Sequence, residues 1–181
     1  MRTEKENMIG GELYDAKDPQ LVEDRNHAQG VCRAYKQSAV NELDDRSELL
    51  ANLLQVEDRF FIRPPFYCDY GYNIKLGNDV YLNFDCVILD VCSVEIGEGS
   101  MLGPSTHIYA ATHPTDPRQR ALGLECGKRV IIGKNVWIGG KTVIMPGVTI
   151  GDNAVIGAGS VVINDIPANT LAAGNPARII R

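Results

Sequence analysis

Aliphatic residues recur every six positions in the C-terminal half of the chain. They form one uninterrupted series of Ile132, Ile138, Ile144, Ile150, Ile156 and Val162. Four positions after each stands a small or β-branched residue, namely Val136, Thr142, Val148, Ala154, Ser160 and Ile166. A period of six fits neither an α-helix nor a simply alternating strand. It predicts a short flat strand followed by a corner, with the aliphatic side chain pointing inward.

The same ladder is present earlier in the chain, with one change of phase. Its members are Leu76, Leu82 and Ile88, followed by Ile96, Leu102 and Ile108. The two-residue slip between Ile88 and Ile96 predicts a small bulge at a corner. Residues 114–129 break the pattern altogether and predict a loop extruded from the coil, and long ordered loops of this kind are often functional.

Three six-residue units would close a triangular coil of about 18 residues, and stacked coils would pair as parallel strands about 4.8 Å apart. The pattern therefore predicts an all-β solenoid, a parallel β-helix of about four coils and a partial one. A period of six does not itself determine the handedness of the coil. Generic crossover rules favour right-handed connections between parallel strands.

The first 56 residues follow a different, helical pattern. Asp18 and Pro19 read as an N-cap and first helical residue, which predicts a helix from there to about Ser38. A second helix is predicted from about Asp45 to Gln55. We expect residues 1–56 to cap the open end of the solenoid, as repeat folds require. Residues 57–181 then form the β-helix domain with its C-terminal tail, and residues 63–65 an extended linker into the first coil.

Composition restricts the class of protein. The 181 residues carry a net charge of −5, which disfavours a nucleic-acid partner because phosphate binding needs a dense basic face. No apolar run approaches the roughly 20 residues of a membrane span, and the polar N-terminus lacks a signal peptide, so we expect a cytoplasmic protein without a membrane partner. The five cysteines include no CxxC pair, which favours buried free thiols over disulfides or zinc.

His113 is the leading candidate for chemistry. It lies where the regular coil ends and the excursion begins, and a neutral imidazole is suited to taking a proton from a hydroxyl near neutral pH. By position alone, a surface histidine before Pro114 is an equally good interpretation. His107, six residues earlier, falls on the adjacent face and His27 in the cap. The three histidines therefore do not favour a shared metal site.

Three further groups are candidates for binding. The glycine pair after Trp137 leaves backbone N–H groups approachable, so Gly140 could bind an oxyanion, or the pair could simply satisfy corner geometry. Arg178 and Arg181 suit a phosphate-bearing ligand, although solvated terminal charges are the commoner explanation. Polar side chains where the ladder begins could bind sugar hydroxyls or be exposed corner residues: Asp69, Asn83, Asp85 and Asp90.

Several segments together resemble a known family. They are Gly-Glu-Leu-Tyr at 11–14, Cys-Asp-Tyr-Gly-Tyr-Asn-Ile at 68–74, Asn-Phe-Asp-Cys at 83–86, Tyr-Ala-Ala-Thr-His-Pro at 109–114, Gly-Lys-Asn-Val-Trp-Ile-Gly-Gly at 133–140 and Gly-Asn-Pro-Ala-Arg at 174–178. The chain resembles the maltose and galactoside O-acetyltransferases among the hexapeptide-repeat acyltransferases, and most of all the maltose enzymes. The likeness covers nearly the whole chain, including its helical start.

The resemblance implies a left-handed β-helix and a homotrimer with active sites between subunits. It implies transfer of acetyl from acetyl-CoA to a sugar hydroxyl, usually at C6, without a metal. His113 would be the catalytic base and the Gly140 N–H the oxyanion donor. The acceptor would lie against Asp15, Asp69, Asn83 and Asp90. The coenzyme would contact Ala158, Arg178 and Arg181, with Trp137 beside its channel.

One segment departs from the family pattern. The family commonly has Thr-Lys before the Asp-Ile/Val-Pro turn, where the lysine contacts the coenzyme, and here those positions hold Ile163 and Asn164. Two other functions stay open. One is the same acetyl transfer to an amine, an antibiotic or a cell-surface sugar. The other is a non-catalytic trimeric binding scaffold, against which the intact His113 and Trp-Ile-Gly-Gly segments count.

Overall fold

Four helices lie outside the regular coil. The computed structural model describes residues 2–39 and 43–181. Its helices are α1 (Glu4–Ile9), α2 (Pro19–Gln37), α3 (Leu43–Leu54) and α4 (Pro117–Ala121). Asp18 caps α2 by accepting hydrogen bonds from two backbone N–H groups, and Pro19 opens it, as predicted. The predicted second helix begins two residues early, and neither α1 nor α4 was predicted from the sequence.

Nineteen short strands make up the rest of the described secondary structure. They are β1 (Tyr14–Asp15), β2 (Phe60–Ile62), β3 (Phe66–Cys68), β4 (Ile74–Leu76), β5 (Val80–Leu82), β6 (Cys86–Leu89), β7 (Val94–Ile96), β8 (Met101–Leu102), β9 (His107–Tyr109), β10 (Ala111–Thr112), β11 (Leu124–Gly127), β12 (Val130–Ile132), β13 (Trp137–Ile138), β14 (Val143–Ile144), β15 (Thr149–Ile150), β16 (Val155–Ile156), β17 (Val161–Val162), β18 (Leu171–Gly174) and β19 (Ala177–Ile179).

The strands stack into three parallel sheets that the chain visits in turn. Face one contains β2, β5, β8, β13, β16 and β18, with β19 returning antiparallel at its end. Face two contains β3, β6, β9, β14 and β17, and face three contains β4, β7, β12 and β15. The predicted all-β solenoid of hexapeptide repeats is therefore confirmed. Its left-handed sense stays a prediction from the family resemblance.

The number of coils is larger than predicted. Face one holds six strands, so the solenoid has five stacked coils and a partial sixth, rather than four and a part. Phe60–Ile62 already pairs with β5, so the coil begins before the proline segment expected to lead into it. The first coil was missed because Phe60 and Phe66 stand where the next coil has the small or β-branched residues Val80 and Cys86, and because Cys68 stands where it has Ile88.

The inward positions of the ladder form one continuous core. Leu102, Ile138 and Ile156 lie directly above one another in register and are almost completely buried. At the corners, the small residues Ser100, Thr106, Thr142 and Ser160 are buried, and each hydroxyl donates to a backbone carbonyl. The interior therefore holds polar residues whose hydroxyls are all hydrogen-bonded, which keeps the free-energy cost of burying them low.

The predicted bulge is confirmed and recurs in two coils. Cys68 pairs with Ile88 and Ile62 with Leu82, so each partner is 20 residues along the chain. In the regular C-terminal coils, Ile138 pairs with Ile156 at a separation of 18. The two extra residues lie between faces two and three, in residues 69–73 and again in residues 90–93.

The excursion after β9 is an ordered hairpin. β10 pairs antiparallel with β11, and α4 lies at the turn. β1 adds a third strand, with Tyr14 opposite Glu125, so the N-terminal region is tied to the extruded segment. Sequence periodicity could not show this sheet, because each of its strands spans only two to four residues.

The N-terminal helices pack against the first coil. The buried side of α2 carries Leu21, Ala28, Cys32 and Tyr35. The Tyr35 hydroxyl donates to the carbonyl of Ile62 in β2, and Leu50, Leu53 and Leu54 of α3 are buried with them. None of the helices among the described residues has the length and apolar character needed to cross a bilayer.

We predict that Ile150→Ala destabilises the protein by about 2–5 kcal/mol, because Ile150 is completely buried and the substitution leaves a cavity in the core. Thr149→Ala, at the exposed neighbouring position of the same strand, is the matched control and should change stability by about 0.5 kcal/mol or less. Urea midpoints measured at one protein concentration compare the two. Equal midpoints would contradict the assignment of Ile150 to the core.

Candidate active site

The predicted site residues divide between two edges of the solenoid. The first edge joins faces one and two, and the second edge joins faces two and three. Asn83, Gly140 and Ala158 lie on the first edge, in the corners after β5, β13 and β16. The second edge carries five predicted residues in the corners after β3, β6, β9 and β17, which are Asp69, Asp90, His113, Ile163 and Asn164.

A cavity of about 400 Å³ opens at the second edge, beneath the extruded hairpin. It contains both His113 and Asp69, which are 44 positions apart in the sequence. His113 directly follows β10 and is exposed, whereas the next residue, Pro114, is buried. The end of a short paired strand thus holds the backbone of His113 while its imidazole faces the cavity. A base and a hydrogen-bonding carboxyl in one cavity suit a ligand that carries hydroxyl groups.

Sequence reasoning missed five polar side chains of this cavity, which are Tyr14, Arg25, Gln29, Tyr70 and Glu125. The Tyr14 hydroxyl donates to a Glu125 carboxylate oxygen at 2.8 Å. The guanidinium of Arg25 donates to the Tyr70 hydroxyl and to the Ala16 carbonyl, both at 2.6 Å. Most of these residues lie on the cap or the hairpin, outside the hexapeptide ladder, so no periodic signal could have found them.

Asp69 has an unusual environment for a carboxyl group. Burial raises its pKa to about 6, and the nearby Glu125 carboxylate adds to the increase. The Arg25 guanidinium opposes that effect by favouring the charged form. Asp69 therefore changes charge within the physiological range. Above that pKa, it accepts hydrogen bonds from hydroxyl groups as a carboxylate.

Asp90 lies beneath the cavity rather than on its wall. Its side chain is completely buried. One carboxylate oxygen accepts from the N–H groups of Asp69 and Tyr70 at 3.0 and 2.9 Å, and the other accepts from Gly71 at 2.7 Å. The predicted direct contact of Asp90 with an acceptor therefore does not fit the structure, because protein groups already occupy both oxygens. Asp90 instead holds the widened corner that carries Asp69.

The remaining predicted acceptor residues lie apart from one another. Asp15 is exposed, and its carboxylate accepts from the Lys17 N–H at 2.9 Å. It stands between Tyr14 and Ala16, which both line the cavity, but it is not itself one of the lining residues. Asn83 lies on the first edge, across the full width of face two. Within one chain, the structure therefore brings Asp69 to His113 but does not bring Asn83 to them.

The first edge presents the glycine corner. Gly140 and Ala158 lie in adjacent coils, and the Gly159 N–H donates to the Gly140 carbonyl at 2.9 Å. Within the described residues, the Gly140 N–H makes no backbone hydrogen bond. A Cβ atom on Gly140 would meet the Pro104 carbonyl at 2.9 Å, so the corner requires glycine. A free N–H in a rigid corner can donate to an oxyanion.

An exposed surface lies next to this edge. Trp137 in β13 is 55% exposed and stands in register between Met101 and Val155 on face one. Arg178 in β19 and the terminal Arg181 are exposed beyond the last coil of the same face. Ile163 and Asn164 are also exposed, but they lie on the second edge. The predicted coenzyme contacts are therefore distributed over both edges of one chain.

The histidines do not converge. The His107 ring nitrogen Nδ1 lies 2.7 Å from the Tyr109 hydroxyl on the outer surface of face two. His27 lies on α2 beside a separate cavity. Across residues 2–39 and 43–181, no three His, Cys, Asp or Glu side chains are grouped so as to hold a metal ion.

Two family models match the chain. The maltose acetyltransferase hexapeptide capping motif matches residues 7–56, which contain α2 and α3. The bacterial transferase hexapeptide, with six repeats, matches residues 129–164 of the solenoid. The helical cap and the coil are thus each recognised independently.

Solved structures resemble the whole chain. A maltose O-acetyltransferase from Clostridium difficile 630 is 47% identical, with a TM-score of 0.97, over 99% of this chain and 97% of its own. A hexapeptide-repeat containing acetyltransferase from Vibrio cholerae, complexed with acetyl coenzyme A, is 36% identical, with a TM-score of 0.92, over 99% and 98%. A galactoside acetyltransferase in complex with coenzyme A is 35% identical, with a TM-score of 0.91, over 100% and 91%.

Identity of this level over the full length, together with the matched cap and repeats, shows the family. The chain is an acetyltransferase that belongs to the maltose and galactoside O-acetyltransferases, a family of acetyl-CoA-dependent hexapeptide-repeat enzymes.

Proposed function

We propose that this enzyme transfers the acetyl group of acetyl-CoA to a hydroxyl group of a sugar, of the glucose, maltose or galactoside type and at C6, with His113 as general base. The observation that carries the proposal is the shared cavity of His113 and Asp69. Its walls supply hydroxyl, carboxyl and guanidinium groups, which together match the many donors and acceptors of a sugar.

The proposed reaction needs no covalent enzyme intermediate. His113 removes the proton of the acceptor hydroxyl, and the resulting alkoxide oxygen attacks the thioester carbonyl carbon. The Gly140 N–H donates to the oxyanion that forms. When the carbon–sulfur bond breaks, His113 returns the proton to the thiolate. The cysteines take no part in these steps, which accords with the burial of Cys32, Cys68, Cys86 and Cys92.

The two edges support a site shared between subunits. His113 and Gly140 lie on opposite sides of face two, so one chain does not bring the base and the oxyanion donor together. If the first edge of one subunit faced the second edge of the next, both groups would meet. Repeating that contact around a threefold axis closes a ring. We therefore propose a homotrimer in which every site draws on two chains.

The same arrangement accounts for the coenzyme residues. A molecule lying between two subunits would meet Trp137, Gly140, Ala158, Arg178 and Arg181 of one chain. Its other side would meet the second edge of the next chain, where Ile163 and Asn164 lie. Since Asn164 replaces the lysine common in the family, the arginines are the cationic groups proposed to contact the phosphates.

We predict that His113→Ala lowers kcat for acetyl transfer by about 10²- to 10⁴-fold, the usual contribution of a general base. His27→Ala, an exposed histidine on α2, is the matched control and should keep the wild-type rate. The measurement is thiol release from acetyl-CoA with glucose, maltose, galactosides and unrelated alcohols and amines as acceptors.

Three results would contradict parts of this proposal. A loss smaller than tenfold in His113→Ala would remove the base assignment. Turnover of amines with no turnover of sugars would replace the proposed acceptor class. Failure to bind coenzyme A in calorimetry would favour a non-catalytic binding scaffold.

The shared site predicts complementation between two defective chains. We expect His113→Ala and Asn83→Ala trimers to be impaired separately, and co-expression to restore activity. In a random mixture, about a quarter of the sites combine an intact second edge with an intact first edge. The measurement is kcat of the co-expressed protein, with a mass in solution of three times the 19.8 kDa chain. Sites formed within one chain would show no recovery, since every chain carries a defect.

The raised pKa of Asp69 predicts pH-dependent acceptor binding. Acidification through a pKa of about 6 neutralises the carboxylate, so the acceptor loses charge-assisted hydrogen bonds. Affinity should fall roughly fivefold to tenfold between pH 7.5 and pH 5. Calorimetry on His113→Ala protein measures acceptor binding in the absence of catalysis. The double variant with Asp69→Asn should bind weakly and without this pH dependence; an unchanged profile would contradict the prediction.

A further inference from the structure

A second cavity, of about 600 Å³, adjoins the proposed acceptor site. It lies between α2 and the start of face two, and it shares Gln29, Asp69 and Leu89 with the cavity of His113. Two cysteines, Cys32 and Cys68, lie in its wall. The acetyl-transfer steps give these cysteines no role, and the cavity connects them to the surface.

The two thiols are close in space although far apart in sequence. Cys32 belongs to the buried side of α2, and Cys68 is the last residue of β3. They are 36 positions apart, and their Sγ atoms are separated by 3.8 Å, the range of a thiol–thiol contact. Cys32 is 6% exposed and Cys68 is 7% exposed, so both are shielded but reach the cavity.

The surroundings assign the two thiols different roles. Hydrogen bonding from Cys68 lowers the pKa of Cys32, whereas the same hydrogen bond, together with burial, raises the pKa of Cys68. Cys32 is therefore the more easily ionised thiol, and Cys68 is a neighbouring thiol that can resolve an oxidised partner. A nucleophilic thiol next to a resolving thiol is the usual arrangement of an oxidisable pair.

We propose that Cys32 and Cys68 form an oxidisable dithiol, which a hydroperoxide converts into a disulfide joining α2 to β3. The Cys32 thiolate attacks the peroxide oxygen, which gives a sulfenic acid at Cys32 and releases hydroxide, protonated to water. The Cys68 sulfur then attacks the Cys32 sulfur, and the sulfenic hydroxyl leaves as water. Two thiols lose two protons and two electrons, and one hydrogen peroxide takes them up and becomes two waters.

Disulfide formation would alter the neighbouring acceptor site. The two sulfur atoms must approach from 3.8 Å to about 2.0 Å, which draws α2 and the end of β3 together. Asp69 directly follows Cys68 in the chain, so its carboxyl would shift with this movement. This consequence rests on the proposed function. Since a displacement of about 1 Å at a reacting site can cost 10²-fold, we expect acceptor kcat/KM to fall on the order of tenfold or more.

The test oxidises the purified full-length enzyme with hydrogen peroxide, blocks the remaining free thiols and maps the peptides by mass spectrometry. The expected result is a linked Cys32–Cys68 peptide that dithiothreitol separates. Cys86→Ser is the matched control, because Cys86 is buried away from the cavity and the serine hydroxyl keeps a donor for the Gly103 carbonyl. It should form the link, whereas Cys32→Ser and Cys68→Ser should not.

Peptide mapping of the wild-type enzyme decides the proposal without any activity measurement. Oxidation that leaves Cys32 and Cys68 unlinked, or links either of them to Cys92 or Cys126 instead, would overturn it. Acceptor kinetics of the oxidised and reduced wild-type forms then test the consequence. A mapped disulfide with unchanged acceptor kinetics would leave the dithiol established and would overturn its proposed influence on the acceptor site.

Discussion

The parallel pairing of successive coils is the constraint on which the rest of the structure depends. Each inward aliphatic side chain lies over its counterpart one coil away, as Ile138 lies over Leu102 and under Ile156. Because paired strands keep a spacing of about 4.8 Å, corner residues of neighbouring coils are held equally close. Residues that are one coil apart in the sequence therefore lie next to each other along one of three straight edges. This order determines where the site residues lie.

The exceptions to this regularity coincide with the chemistry. Two extra residues widen the second edge in each of the first two coils. The hairpin leaves the third coil at the same edge. The buried carboxylate of Asp90 holds one widened corner through three backbone N–H groups, and that corner carries Asp69. The irregular edge thus supplies the cavity, and the regular first edge supplies the exposed glycine N–H.

The cap and the hairpin complete what the coil alone lacks. α2 contributes Arg25 to the cavity of His113, and β11 contributes Glu125, which accepts from the buried Tyr14 hydroxyl. The same helix carries Cys32 to within 3.8 Å of Cys68. Helix packing against the first coil therefore sets both the shape of the acceptor cavity and the geometry of the proposed dithiol.

The sequence by itself determined the solenoid, the bulge and the main cap helix, because a six-residue period, a phase slip and an Asp-Pro cap are local signals. It also pointed to His113, which follows the last regular strand before the excursion. Only the tertiary structure decided the aromatic first coil, the β1–β11 pairing and the partners of His113. Those contacts join residues up to 111 positions apart. Tyr14 contacts Glu125, and Asp90 becomes a buried support, only after the coils have stacked. A periodic sequence pattern does not specify which corners will line the same cavity.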